Sequence, residues 1–254
     1  PLARWRSGWQ SWRMPRILLV NSNTTASITE RIATAARAGA APGTEVLAVT
    51  APFGLPLIVT PADWLLAGPP TLAALAEHGA GCDAAVIACF GDPGLEAAKQ
   101  LFPFPVLGIS EAAFHLACLL GRRFGIVSFT AALRPMFQDC LERHGFAARC
   151  VGFRMGPPFA GDPGRVAEER RGLLLDLVWQ SVKEDGAEVV ILAGAPLAGL
   201  AAALQAELPV PLVDGVVAGV RLAAALVGLT PERRKPESPL SGYPASLSTL
   251  YGGG

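Results

Sequence analysis

The chain has 254 residues, 51% of them hydrophobic and only 17% charged, which excludes a disordered segment and leaves enough apolar surface for one large or two small domains. Its 21 basic and 21 acidic side chains cancel, so there is no electrostatic footprint for nucleic acid or for an anionic membrane. No apolar run reaches the roughly 18 residues needed to span a bilayer.

In chain order, residues 1–13 stand apart. Their spacing puts Trp5, Trp9 and Trp12 on one face of a helix, but Met14 reads as the natural start and the stretch as a non-native extension ahead of it. Ile17–Val20 is a strand-sized apolar run, and Thr25 to Ala38 reads as a helix opened by the Asn21-Ser22-Asn23-Thr24 cluster. Val46–Thr50 is a second strand and Pro69 to Gly79 a second helix. Ala84–Ala88 reads as a buried strand, followed by a helix from about Pro93. Val106–Ile109 is a short strand and Glu111 to Leu120 a helix. The order then recurs: Phe124–Val127, a helix near Leu133–His144, Ala148–Phe153, a long helix over Val166–Glu184, Val189–Leu192, a helix from Leu197, and Leu212–Val213. A last helix over Val216–Leu226 is expected to pack back on the first half. Residues 231–254, rich in Pro, Ser and Gly, read as a surface tail.

Unbroken apolar strands alternating with helices predict an α/β fold with mostly parallel sheets flanked by helices. The second half also resembles the first residue by residue. Val86-Ile-Ala-Cys89-Phe-Gly-Asp-Pro-Gly94-Leu95 matches Ile191-Leu-Ala-Gly194-Ala-Pro-Leu-Ala-Gly199-Leu200 at a spacing of 105, and Arg16–Thr24 matches Arg123–Ala131 at 107. Two long copies indicate a duplicated domain, not a solenoid. The expected organisation is two pseudo-symmetric lobes, 14–112 plus 213–230 and 113–212, with a cleft between them.

In such sheets ligands gather at the carboxyl ends of the strands. That singles out Asn21, Asn23 and Thr24, then Cys89, Phe90 and Gly91, then Ser128 and Thr130, and finally Gly194, Ala195 and Pro196. A thiol just after a buried strand and ahead of a helix capped by Asp92 is expected to have a lowered pKa, which makes it a nucleophile or proton acceptor. The competing reading makes Cys89 one more small buried apolar residue. The neutral donors of the first and third loops suit a carboxylate, imide or enolate oxygen; ordinary helix capping is the competing reading for each residue alone, and the repeat shifts the set toward binding. Phe90, Pro196 and the scarcity of charge at the loop ends favour a neutral or weakly anionic, partly apolar substrate. The five cysteines show no metal-like spacing, and their odd number reads as reduced and cytoplasmic. The three histidines look isolated, so no metal site is expected.

Cys89-Phe-Gly-Asp-Pro-Gly-Leu95 resembles the first catalytic loop of hydantoin racemases, within the aspartate/glutamate racemase superfamily. Asn21-Ser-Asn23-Thr24, Glu184–Leu192, Leu197–Ala201 and Val213-Asp-Gly-Val216 are similar to further segments of that family, in order, over about residues 14 to 227. The resemblance implies a cofactor-independent racemase or isomerase acting at a carbon next to a carbonyl, on a hydantoin-like or amino-acid-derived small molecule. Relatives often assemble, so a homo-oligomer fits. The family uses two cysteines on opposite faces of the reacting carbon. Cys89 matches the first; the second belongs at position 194, where this chain has glycine. Racemisation would then need water or a substrate group as the second acid. A single-cysteine decarboxylase of malonate-type acids, similar to arylmalonate decarboxylase but with its thiol in the other lobe, is the alternative, followed by a non-catalytic ligand-binding relative.

Overall fold

The computed structural model describes residues 14–229 and 242–248. The expectations for 1–13, and for most of the tail, lie outside these residues. The first half runs β1 (Arg16–Asn21), α1 (Ala26–Gly39), β2 (Glu45–Thr50), α2 (Pro61–His78), β3 (Ala84–Ile87), α3 (Leu95–Leu101), β4 (Val106–Gly108) and α4 (Ile109–Leu120). The second runs β5 (Phe124–Ser128), α5 (Arg134–Arg143), β6 (Cys150–Met155), α6 (Val166–Glu169), α7 (Arg171–Lys183), β7 (Val189–Leu192), α8 (Leu200–Leu204), β8 (Leu212–Asp214) and α9 (Gly215–Leu226). A short α10 (Ala245–Ser248) follows, with Leu247 buried.

Each half builds a four-stranded parallel sheet in the same order, β2-β1-β3-β4 and β6-β5-β7-β8. The central strands are apolar on both faces because helices cover both. Ile17 to Val20 and Val189 to Ile191 are fully buried, and each such Leu, Ile or Val contributes about 1.5–3 kcal/mol by leaving water. Helix α9 leaves the second sheet to cover the first. Gly219 lies so close to Val86 that a Cβ there would approach it to 2.8 Å, and Arg221 Nε donates to the Gly39 carbonyl at 2.7 Å.

Two helices differ from expectation. Helix α2 starts at Pro61, eight residues before Pro69. Its start is a capping box, in which Thr60 Oγ1 accepts from the Asp63 N–H and the Asp63 carboxylate accepts from the Thr60 N–H. Pro69 and Pro70 sit inside this helix. They free the carbonyls of Leu65 and Leu66, which are 68% and 63% exposed, so water can satisfy them. The long helix over 166–184 is broken at Arg170, with α6 and α7 on either side.

Candidate active site

The two repeat loops leave their sheets in register. The Ala88 N–H donates to the Val20 carbonyl at 2.7 Å, and the Ala193 N–H donates to the Val127 carbonyl at 2.8 Å. The next residue in each copy, Cys89 or Gly194, turns out of the sheet. Both loops meet at one small cavity of about 30 Å³, which six of the expected residues line: Asn23, Cys89, Phe90, Gly194, Ala195 and Pro196. Cys89 is buried, with 7% of its surface exposed, and it lines this cavity.

Six apolar residues complete the wall: Leu57, Ile58, Phe129, Leu133, Met136 and Phe137. Sequence reasoning did not single them out. Leu133, Met136 and Phe137 follow the i, i+3, i+4 spacing of an ordinary core-facing helix stripe, and nothing local distinguishes a pocket wall from a core. Phe90 packs on this wall, its ring 4.6 Å from that of Phe137 and 5.7 Å from that of Phe114.

The other five expected residues lie around the cavity without lining it. Asn21 is buried, and its amide donates to Asn23 Oδ1, the Thr25 carbonyl and Thr29 Oγ1. Thr24 is exposed, with its N–H on the Leu55 carbonyl. Ser128 Oγ donates to the Ala193 carbonyl at 2.6 Å, tying β5 to the Gly194 loop. Thr130 is buried at the start of the 3-10 turn over Ala131–Leu133. Gly91 is a fastening point: its N–H donates to Ser110 Oγ at 2.6 Å and its carbonyl accepts from Trp64 Nε1 at 2.7 Å. Arg143 Nη1 reaches the same carbonyl at 3.4 Å, with its guanidinium 4.4 Å above the Trp64 ring.

Asn23 carries the polar chemistry of the first loop. Its side-chain oxygen accepts from Asn21 Nδ2 at 3.0 Å and from the Thr25 N–H at 2.9 Å. A backbone N–H can only donate, so the atom facing it is the oxygen, and the amide NH2 is left as the donor.

The expected capping by Asp92 and the expected low thiol pKa are both corrected. Helix α3 begins at Leu95 with Gly94 as its cap, six positions after Cys89. Asp92, held at φ 53, instead turns its carboxylate to the start of α4. It accepts there from the N–H groups of Ser110 at 3.0 Å and Glu111 at 2.8 Å. The start of α3 is therefore too far along the chain to cap a thiolate at position 89. Burial raises the Cys89 thiol far above the usual cysteine range, and the charge of Asp92 adds to the shift. Burial thus favours the protonated form of this thiol.

His144 was expected to be isolated, and it is not. Its Nε2 lies 3.2 Å from Asp92 Oδ2, and the half-buried His144 clusters with the buried Asp92 and Cys140.

Two like parallel sheets sharing a small cavity, with one thiol at a strand end, define a class: two-lobed α/β enzymes that work in the cleft. The sequence matches the Asp/Glu/Hydantoin racemase model over residues 17–223. The chain is 36% identical to a hydantoin racemase from Pseudomonas sp. (strain NS671), over 84% of this chain and 86% of that one. Its fold superposes on an allantoin racemase from Klebsiella pneumoniae with a TM-score of 0.83 at 37% identity, covering 92% of this chain and 99% of that one. Unliganded arylmalonate decarboxylase shares the fold, at TM-score 0.60 and 16% identity over 87% of this chain and 96% of that one. The chain belongs to the Asp/Glu/Hydantoin racemase family and is an isomerase of the racemase type.

Proposed function

We propose that the protein moves a proton at the carbon next to a carbonyl in a 5-substituted hydantoin, through the thiol of Cys89 and without a cofactor. The observation that supports this reading is that Cys89 and Gly194, the matching positions of the two repeat loops, both line one cavity. The Cys89 S–H gives its proton to the planar carbanion carbon; in the reverse direction the thiolate takes that proton back. The Asn23 NH2 group donates to the enolate oxygen, where negative charge develops. Near Gly194 the Ser128 hydroxyl, 3.8 Å from where a Cβ would stand, is engaged with the Ala193 carbonyl, so water serves on that face.

The walls support an apolar substituent on the ring. Leu57, Ile58, Phe129, Leu133, Met136 and Phe137 offer no partner to a charged or ureido group, and burying such a group unpaired is costly. A cavity of about 30 Å³ holds roughly one water molecule, so the lobes part to admit a ring.

A second reading rests on the protonated thiol and the bare opposite face. In a malonate-type acid, the carbon–carbon bond to one carboxylate breaks and CO2 leaves. The enediolate then takes the Cys89 proton on one face only.

Incubating one enantiomer of 5-benzylhydantoin in D2O separates these. Deuterium at C5 with loss of optical rotation supports racemisation. Uptake with retained configuration supports a one-faced exchange. CO2 release from an aryl malonate without C5 exchange favours the decarboxylase, and absence of all three removes the thiol chemistry.

A further inference from the structure

Three residues outside the proposed proton transfer converge between the lobes. Cys140 and His144 are four residues apart at the end of α5, so they face the same side. Asp92 reaches them from the β3 loop of the other lobe. Their sulfur, ring nitrogen and carboxylate oxygen all lie within 4.8 Å of one another. Cys140 and Asp92 are buried, and the His144 side chain is only 8% exposed.

His144 gives the decisive observation. Its Nε2 is 3.2 Å from Asp92 Oδ2, close enough for a hydrogen bond, yet this buried nitrogen has no hydrogen-bond partner. The pair is within ion-pair distance but lacks the alignment of a hydrogen bond. A buried, unpartnered nitrogen is expensive. The same geometry suits two ligands of one ion, because two bonds of about 2.0–2.2 Å at a tetrahedral angle hold their donor atoms about 3.3–3.5 Å apart.

We propose that Asp92, Cys140 and His144 bind one transition-metal cation of the zinc class, which clasps the two lobes beside the cavity. The donor set selects the ion: thiolate and imidazole suit Zn²⁺ or Co²⁺, whereas Mg²⁺ and Ca²⁺ require oxygen ligands. The charges also balance, since the carboxylate and the thiolate formed when Cys140 releases its proton neutralise a dication. Asp92 remains available because each of its oxygens accepts one backbone N–H and keeps a second lone pair. Three protein ligands leave one tetrahedral position for water.

The test uses the full chain, stripped with a chelator and titrated with Co²⁺ and then Zn²⁺, and it does not depend on turnover. One Co²⁺ per chain is expected, with a thiolate-to-cobalt charge-transfer band and a four-coordinate ligand-field spectrum, and Zn²⁺ is expected to displace it and raise the thermal midpoint. The band should persist in Cys89→Ala, vanish in Cys140→Ser, and require at least about tenfold more cobalt in His144→Gln, with circular dichroism reporting the fold of each variant. Absence of cobalt uptake by the unaltered chain would mean a histidine–aspartate ion pair only and would overturn the site. So would an undiminished band in folded Cys140→Ser. If Cys140→Ser does not fold, unaltered affinity in His144→Gln overturns it equally.

Discussion

The two lobes share a backbone plan and solve one problem from opposite ends. Each must tie the loop after its third strand to the helix after its fourth. In the first lobe the carboxylate comes from the loop: Asp92 accepts from Ser110 and Glu111 at the start of α4. In the second it comes from the strand end: Asp214 accepts from Gly199 in the loop at 2.6 Å and from Val216 and Val217 at the start of α9. Gly108 pairs with Ile87 in the first sheet as Asp214 pairs with Leu192 in the second, so the two positions correspond. A Cβ at 108 would fall 2.0 Å from the Asp92 carboxyl carbon, so a lobe has room for one of these aspartates and not both. The exchange has a chemical consequence. Asp92 sets a negative charge beside Cys89, raising the thiol further, whereas Asp214 lines the broad groove beside α1 and α9, away from the cavity. In the proposed mechanism the first lobe supplies the proton donor and the second a wall.

The sharpest way to break this comparison is to make the lobes equally inert. Cys89→Ala leaves no thiol in the cavity, and C5 deuterium exchange should fall by at least about a hundredfold while the far-ultraviolet spectrum is unchanged. Exchange at the original rate would mean that the donor is elsewhere.

The reverse experiment makes the lobes alike. Gly194→Cys sets a thiol opposite Cys89, and there is space for it: the nearest atom to a Cβ is Phe129 Cε1 at 3.5 Å. The backbone is less accommodating. Gly194 has φ 121, where a side chain costs about 1–3 kcal/mol. Gly194→Cys is expected to lower the thermal midpoint yet raise racemisation by at least about tenfold. Gly194→Ala carries the same strain without the sulfur, so the difference between the two isolates the thiol. Equal racemisation in both would show that the second face needs no acid from the protein.

How much of this was legible beforehand depended on the range of the interactions. Ile17–Val20, Ala84–Ala88, Phe124–Val127 and Val189–Leu192 were readable because strands buried on both faces must be continuously apolar. The repeat then marked Gly194 as the counterpart of Cys89, and both line one cavity. The true start of α2 was hidden because Pro69-Pro70 looks like a helix opening, while the Thr60–Asp63 box that opens it lies in a segment whose apolar spacing is irregular. The apolar wall of the cavity carried no local signal. Least legible were the partners of Asp92, since Ser110 and His144 are 18 and 52 positions away and only the folded chain brings them together. The thiol pKa was misjudged for the same reason: a local rule assigned a helix start, and burial set by distant residues won.

The smallest effect tests the protonation state itself. Burial raises all five thiols, Cys150 to about 11 and Cys89 further. In the unfolded chain a thiol loses its proton near pH 8.5, whereas the folded chain holds it to higher pH. The folded state therefore binds more protons in that window, and its stability falls as pH rises through it; below it the contribution is complete. The melting midpoint should be flat up to about pH 8 and then decline. In Cys89→Ala the decline should be shallower by up to about 1.4 kcal/mol per pH unit. If both proteins lose stability in parallel, burial does not raise the Cys89 thiol, and the folded chain holds that proton no more firmly than the unfolded chain does.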